Sequence, residues 1–354
     1  MRWLVAGVPR SGSTGGAVRA RHIFAALAER TDARLLASYG RRGTPAFARA
    51  VLSASSGWRR PVRIASTQLL PTASRALLRG QVTAAVLDLH DHPGLQAEGL
   101  GIALGPGRRQ ELDRLFQHNA DRFALLVAPS SSFVELCGLD LDRVVVITNG
   151  TDTARIAPRP SPPTPIVALV SGAAPGRGIE HLLAVMTRVR DEIPEAGLRL
   201  ALTATGPASA DYLRQLTAAV RSEQPWVGIE QVPFERLDAF LGGASVLAIP
   251  HPPGSYLDAA TPVKLFDSMA AGRPLAVTPR TETRRIVEAA QAGIVAASDS
   301  VEDLAEAIWT LLRDEPRRRT LGENARRAAV ERYDWRVLSA ALADAMLGPQ
   351  NASR

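Results

Sequence analysis

Residues 165–186 read PIVALVSGAAPGRGIEHLLAVM, and the reading of this stretch decides the fold. An apolar run ends at Gly172, a loop containing Gly176, Arg177 and Gly178 follows, and apolar residues then recur at helical spacing. A parallel strand buried on both faces and its crossover helix leave this pattern. Comparable runs occur before it, RWLVAGV, ARLLASY, AAVLDL, FALLVAP and VVVITNG, and after it, LRLALTATG, VGIEQV, SVLAIP, PLAVT and GIVAA. Helical segments separate them, so the α/β pattern occurs twice. Between the two sets lies TDTARIAPRPSPPTPI, residues 151–166, with five prolines and no helical period, which reads as a linker. The expected domains are residues 1–155 and 156–335, with a last helix at about 336–350 packing back on the first.

A chain of 354 residues that is 46% apolar suits two ordinary domains better than one core. No run approaches the roughly 18 apolar residues of a membrane span, and WLVAGV is too short for a signal-peptide core, so a cytoplasmic protein is expected. Cys137, the single cysteine, sits in the apolar phrase FVELCGL and is expected to be filler without chemistry. The net charge of +7 is concentrated in residues 1–155, where 20 arginines face 12 acids. Residues 33–87 hold nine arginines and no acid, and GWRRPVRIASTQLLPTASRALLRG interleaves arginine with apolar residues. Such a segment suits an anionic membrane surface or an anionic acceptor, or is a solvated arginine-rich face. The absence of a helix-turn-helix, zinc-knuckle or aromatic stacking pattern speaks against nucleic acid.

Ligands of doubly wound sheets collect beyond the carboxyl ends of the strands, so the residues after each run are the candidates. After the first run, Gly12, Gly15 and Gly16 precede a helix whose first amides could receive phosphate or a sugar hydroxyl. The spacing is not a dinucleotide fingerprint. After AAVLDL comes DLHDHPG, residues 88–94; it reads as a metal cluster, a turn cap, or a polar strand end where His90 meets a sugar hydroxyl and Asp91 orients it. No second cluster supports the metal, because His22, His118, His181 and His251 lie apart. Gly172 and the loop with Arg177 make a candidate diphosphate cradle. In TPVKLFDSMAAGRPLAVT, residues 261–278, Ala260 and Thr261 stand before a helix carrying Lys264, the only lysine of the chain, and Asp267. Those two share a helix face; they form either a surface ion pair or a phosphate and ribose contact.

Taken together, APSSSFVELCGLDLDRVVVITNGTD, SGAAPGRGIEHLL, TPVKLFDSMAAGRPLAVT and LGENARRAAVERYDW stand in the order found in retaining glycosyltransferases, and the chain resembles the large family-4 group of the GT-B fold. The resemblance is good over about residues 125–335 and thinner before, where the glycine loop and DLHDHP anchor it. It implies an α/β protein of GT-B fold, two Rossmann-like doubly wound parallel-sheet domains facing across a cleft. The implied donor is a nucleotide-diphosphate sugar, with no cofactor and no metal, and the acceptor a glycan, a lipid-linked molecule or a small molecule. Carried over by residue, Gly15 and Gly16 approach the donor phosphate or acceptor, His90 the donor sugar, Gly172 and Arg177 the diphosphate, and Asp267 the ribose. Lys264 matches a lysine present in a subset of the family, and Ala260 and Thr261 complete that donor-side segment. His90, Arg177 and Lys264 are the expected catalytic side chains. Three departures stand out: Ala173 where an arginine is usual, Ala259 where a glutamate is usual with Asp258 beside it, and Asp267 in place of glutamate. They leave open a non-catalytic GT-B subunit that binds a partner transferase, and a sugar-nucleotide epimerase or hydrolase is the other enzyme class on this fold.

Overall fold

The computed structural model describes residues 2–8, 15–37, 53, 62–67, 69–70, 82–99 and 102–348. It divides into two units, residues 1–98 with 103–149 and 335–354, and residues 99–102 with 150–334. In the first, strands β1 (Arg2–Val8), β2 (Asp32–Ala37), β3 (Val62–Ser66), β4 (Val82–Asp88), β5 (Leu125–Ala128) and β6 (Val144–Val146) form one sheet in the order β2-β1-β3-β4-β5-β6. In the second, β7 (Ile166–Gly172), β8 (Gly197–Thr203), β9 (Val227–Glu230), β10 (Val246–Ile249), β11 (Leu275–Val277) and β12 (Gly293–Val295) run in the order β12-β11-β10-β7-β8-β9. All strand pairs within both sheets are parallel. Parallel strands need crossovers, and helices supply them where the connection is among the described residues.

The strand order fixes where each sheet can bind. In the second sheet the chain leaves β7 towards β8 and β9, then returns past it to β10 and beyond, so the crevice opens beyond the carboxyl ends of β7 and β10. In the first the reversal falls between β1 and β3, with β4 next to it. Every candidate residue follows a strand at or beside one of these two reversals.

Local sequence explains the elements. Val167, Ala168 and Leu169 of β7 are fully buried, which requires the unbroken apolar run. Helix α1 spans Gly15–Ala28, α2 Pro93–Gly99, α3 Pro106–Arg122 and α4 Ser131–Leu136. Helix α5 (Ile179–Glu192) buries Ile179, Leu182, Val185, Met186 and Val189, one face of a 3.6-residue period. Next come α6 (Pro207–Glu223), α7 (Leu237–Gly242), α8 (Ser255–Ala259) and α9 (Val263–Ala270), in which Leu265, Phe266, Met269 and Ala270 have no exposure. The last helices are α10 (Thr281–Ala290), α11 (Val301–Arg313), α12 (Glu315–Ala328) and α13 (Trp335–Leu347). Helix α13 belongs to the first unit: Trp335, Leu338, Leu342 and Met346 join the core of Trp3, Val5, Ile23 and Leu27, and Trp335 stacks on His22 at 4.7 Å.

Two segments differ from their sequence reading. VRIAS, inside the arginine-rich stretch, is not an amphipathic surface segment but β3, a central strand whose Ile64, Ala65 and Ser66 are buried. Arg63 is accommodated at this strand because its guanidinium reaches the Trp3 ring, 6.0 Å from the centroid. Of the rest of that stretch, residues 57–61, 68 and 71–80 lie outside the described residues, and so do Gly12 and the loop around it. The proline-rich stretch is not a free tether, since two arginines pin it to the second unit. Arg273, buried, donates to the carbonyls of Gly242, Arg159 and Pro160 at 2.6, 2.8 and 2.8 Å. Arg326 donates to those of Ile156, Ala270 and Thr153 at 2.7, 2.9 and 3.0 Å. Asp334, from the RYDW motif, accepts from the Thr153 amide at 3.1 Å and from its hydroxyl.

Candidate functional site

In the second unit the groups assemble around the ends of β7 and β10. Gly178 carries a φ of +75°, and a Cβ there would lie 1.7 Å from the Pro250 carbonyl oxygen. Only glycine allows both the backbone and the contact, so this residue seats the β7 loop directly on the end of β10. Arg177 is thereby held beside the residue after Pro250, His251. The Ser171 hydroxyl at the end of β7 is buried and has no partner among the described residues. Gly172 has no atom within 4 Å of where a Cβ would stand. Among the described residues no contact requires glycine at that point.

Lys264 lies in the first turn of α9, half-buried, and forms no ion pair among the described residues. Burial and the charge of Arg177 push its ammonium down to about 7. His251 is buried with neither ring nitrogen partnered among the described residues, and burial followed by the charges of Lys264, Arg177 and Arg280 holds it well below its ordinary value. The imidazole is neutral, in a setting whose charged neighbours are three cations. Arg280 is held by acids of its own, Asp258 and Asp299, which leaves Arg177 and Lys264 beside the neutral imidazole as the groups suited to an anion.

Asp267 faces another way. It is buried, and its Oδ1 accepts from the Thr151 hydroxyl at 2.7 Å. Burial raises its carboxyl to about 6 against that hydrogen bond and the charge of Arg155. Lys264 and Asp267 therefore do not pair; one serves the cationic cluster, and the other has an oxygen left for a hydroxyl. Thr261 is buried and Ala260 half-buried ahead of the helix. Ala173 is buried in the core and donates its amide to Thr203 at 2.9 Å, continuing the β7–β8 ladder. Asp258 is engaged by Arg280 at 3.2 Å, and Arg280 also pairs with Asp299, so this carboxylate is committed within the unit. Ala259 is buried.

The first unit brings Gly16 and His90 together: a Cβ at Gly16 would lie 2.9 Å from His90 Nε2. His90 Nδ1 is 3.4 Å from Asp88 Oδ2. Asp91 accepts from Gln96 at 2.8 Å. His92 has a different task, its Nδ1 accepting the amides of Gly94 and Leu95 at 3.2 and 3.3 Å to cap α2 while the ring packs on Phe116. The histidine-rich phrase thus divides into a cap and a polar strand end. Among the described residues no group of three or more His, Cys, Asp or Glu is placed to hold a metal ion. Burial pushes the Cys137 thiol up to about 12, far from a thiolate.

The sheet that carries Arg177 and Lys264 decides the family. Residues 164–314 match the model of the glycosyl transferases group 1 family. The second unit is a glycosyl transferases group 1 domain. Among curated relatives of the chain, the GDP-mannose-dependent alpha-(1-6)-phosphatidylinositol monomannoside mannosyltransferase of Mycolicibacterium smegmatis is 24% identical over 249 residues, 67% of this chain and 62% of that protein. The MMP alpha-(1->4)-mannosyltransferase of Mycolicibacterium hassiacum is 30% identical over 209 residues, 56% of this chain and 47% of that protein. The chain thus spans about half to three fifths of the length of these relatives. Sucrose-phosphate synthase from Thermosynechococcus elongatus superposes with a TM-score of 0.78 at 16% identity, covering 100% of both chains. HepE of Anabaena, solved with UDP and glucose, superposes with a TM-score of 0.75 at 16% identity, covering 98% of this chain and 100% of its own. The chain has the GT-B fold.

His251 and Asp88 escaped the sequence reading. The position of His251 directly after a strand at the sheet reversal was the available signal. For Asp88 the signal was a strand-terminal acid, whose partner lies 69 residues away.

Proposed function

We propose that the protein transfers a sugar from a nucleotide-diphosphate sugar to an acceptor hydroxyl with retention of anomeric configuration. The observation that carries the reading is the pair of cations Arg177 and Lys264 set beside the neutral His251 at the reversal of a group 1 domain, with the Asp267 carboxyl one helical turn beyond Lys264. In this reading Arg177 and Lys264 stabilise the diphosphate as it leaves, and Gly172 and Gly178 keep the backbone low enough for close approach. The free oxygen of Asp267 accepts from a ribose hydroxyl. His90 and Gly16, from the first unit, serve the sugar and acceptor side. Catalysis is then positioning and electrostatics: a front-face substitution through an oxocarbenium-like state, in which the donor phosphate takes the acceptor proton. No side-chain nucleophile is needed, and no metal ion enters the scheme.

A relative named for GDP-mannose and a fold neighbour solved with UDP-glucose define the first donors to try. The mannosyltransferase relatives named for phosphatidylinositol acceptors favour a glycan or lipid-linked acceptor, and the reading places the transfer at the inner face of the membrane. Among the described residues no helix is long and apolar enough to cross a membrane, so any attachment through them would be peripheral. Thermal-shift screening against UDP-, GDP- and ADP-sugars, followed by proton NMR of the glycoside formed with the stabilising donor, tests the reading. It expects one nucleotide class to raise the melting temperature and the product to keep the donor's anomeric configuration. An inverted product, or no stabilisation by any sugar nucleotide, contradicts it.

A further inference from the structure

The end of β4 is built more elaborately than a polar strand end requires. Asp88 closes the strand in register with Val127 of β5, and Leu89 turns into the core. In an extended chain residues two apart share a side, so Asp88 and His90 emerge together. The Asp88 carboxylate is buried and is gripped by an equally buried guanidinium: Arg19 Nε lies 2.9 and 3.0 Å from its two oxygens, and Nη2 2.8 Å from Oδ1. Arg19 Nη1 donates in addition to the Thr148 carbonyl at 3.0 Å and reaches Asn149 Oδ1 at 3.4 Å. The ITNG phrase singled out by the sequence is thus tied to β4 through one side chain.

We propose that Arg19 and Asp88 are positioning residues for His90: the guanidinium fixes the carboxylate, the carboxylate holds the Nδ1 proton, and Nε2 is the ring atom presented beside Gly16 at the first turn of α1. The inference rests on the reading of His90 as a group that meets the donor sugar or acceptor. A buried Arg–Asp pair alone would be poor evidence of anything beyond structure. The second use of Asp88 Oδ2, 3.4 Å from the imidazole, is what distinguishes this one. It follows the logic by which a buried carboxylate selects the tautomer of a working histidine. Among the described residues the charged groups around the imidazole are Asp88, Asp91, whose Oδ2 is 4.0 Å from Nε2, and Arg19. Burial opposes charge on His90, yet the close approach of Asp88 to Nδ1 and the charges of Asp88 and Asp91 raise its proton affinity above the ordinary value. Asp88 itself, despite burial, is kept ionised by Arg19 and His90. The missing Cβ of Gly16 keeps Nε2 open, so the helix start and the strand end are matched parts of one device.

Histidine-selective 15N labelling, with long-range proton–nitrogen spectra recorded over about pH 5 to 9, reads the tautomer and titration directly. His90 is assigned as the resonance missing in His90→Gln. On the alkaline side the wild-type ring is expected to carry its proton on Nδ1. Asp88→Asn should lower the proton affinity of the imidazole about tenfold. With whichever of UDP-glucose or GDP-mannose is turned over, it should lower kcat while the donor KM stays within about twofold. A wild-type ring protonated on Nε2 overturns the proposal without any variant, and so does a folded Asp88→Asn protein in which His90 titrates as in wild type. Should Asp88→Asn not fold, the wild-type tautomer decides. Should neither donor react, the spectra still decide the dyad, while that failure counts against the proposed transfer alone.

Discussion

Gly178 and Pro250 meet in a contact that admits no side chain, the Pro250 carbonyl oxygen standing 1.7 Å from where a Cβ of residue 178 would be. The left-handed backbone of Gly178 adds its own requirement. Gly178→Ala is expected to destabilise the protein by more than about 2 kcal/mol, the combined cost of strain and displaced backbone. Gly172→Ala, with no atom near the added methyl, should change stability by less than about 1 kcal/mol and yet weaken donor binding, if a phosphate approaches that backbone. Urea unfolding and calorimetric titration of both variants separate the two effects.

Lys264 should make the unliganded protein less stable. Its folded pKa of about 7 lies below the 10.5 of a free lysine, so between these values the unfolded chain binds more protons. The stability penalty is full below about 7 and is relieved as the pH rises towards 10.5. Lys264→Met should therefore unfold at higher denaturant than wild type at about pH 6, with the gap narrowing at about pH 9. The same variant should bind UDP or GDP at least about tenfold more weakly, as expected on losing a charged hydrogen bond to phosphate. Equal midpoints at both pH values would show that the lysine is solvated rather than held in the cluster.

Nucleotide binding should rise and fall with pH. Asp267 ionises at about 6, so its acceptor strength grows as the pH passes upward through that value. Lys264 loses its proton above about 7, so the attraction for diphosphate falls beyond it. A bound anion holds the proton on Lys264 more tightly, which widens the plateau on its alkaline side. Asp267→Asn should remove the ascending limb and Lys264→Met the descending one, measured as dissociation constants across about pH 5 to 9. A profile that is flat in wild type would contradict both assignments.

Thr151 orients the ribose carboxylate in this account. Thr151→Val keeps the shape but removes the hydroxyl that donates to Asp267 Oδ1 at 2.7 Å. The Asp267 pKa should rise further, and the ascending limb of the binding profile should move to higher pH by up to about one unit. Unmoved binding curves would place Thr151 outside the site.

Much of this was legible in the sequence, for a reason that also sets the limit. Strands buried on both faces must be unbroken apolar runs, and Val167–Leu169 or Leu247–Ile249 announce themselves that way. β3 did not, because Arg63 and the neighbouring arginines suggested a charged surface, whereas the guanidinium of Arg63 lies against the Trp3 ring. Arg177, Lys264 and Asp267 could be chosen from motif spacing, but spacing alone could not show that Lys264 turns to Arg177 and Asp267 to Thr151. Longer-range contacts were invisible. Arg19 meets Asp88 only after the sheet sets α1 beside β4, and Arg326 meets the carbonyls of Thr153 and Ile156 only after α12 has packed. The proline-rich stretch looked free for the same reason.

The claim on which the account depends is that Arg177 and Lys264 grip a diphosphate. Isothermal titration of the protein with UDP, UMP and uridine, and with the guanosine series, addresses it most directly. For the preferred base the diphosphate should bind at least about tenfold more tightly than the monophosphate, and most of that advantage should vanish in Arg177→Met. Equal affinities for mono- and diphosphate, or an advantage that survives both Arg177→Met and Lys264→Met, would contradict it.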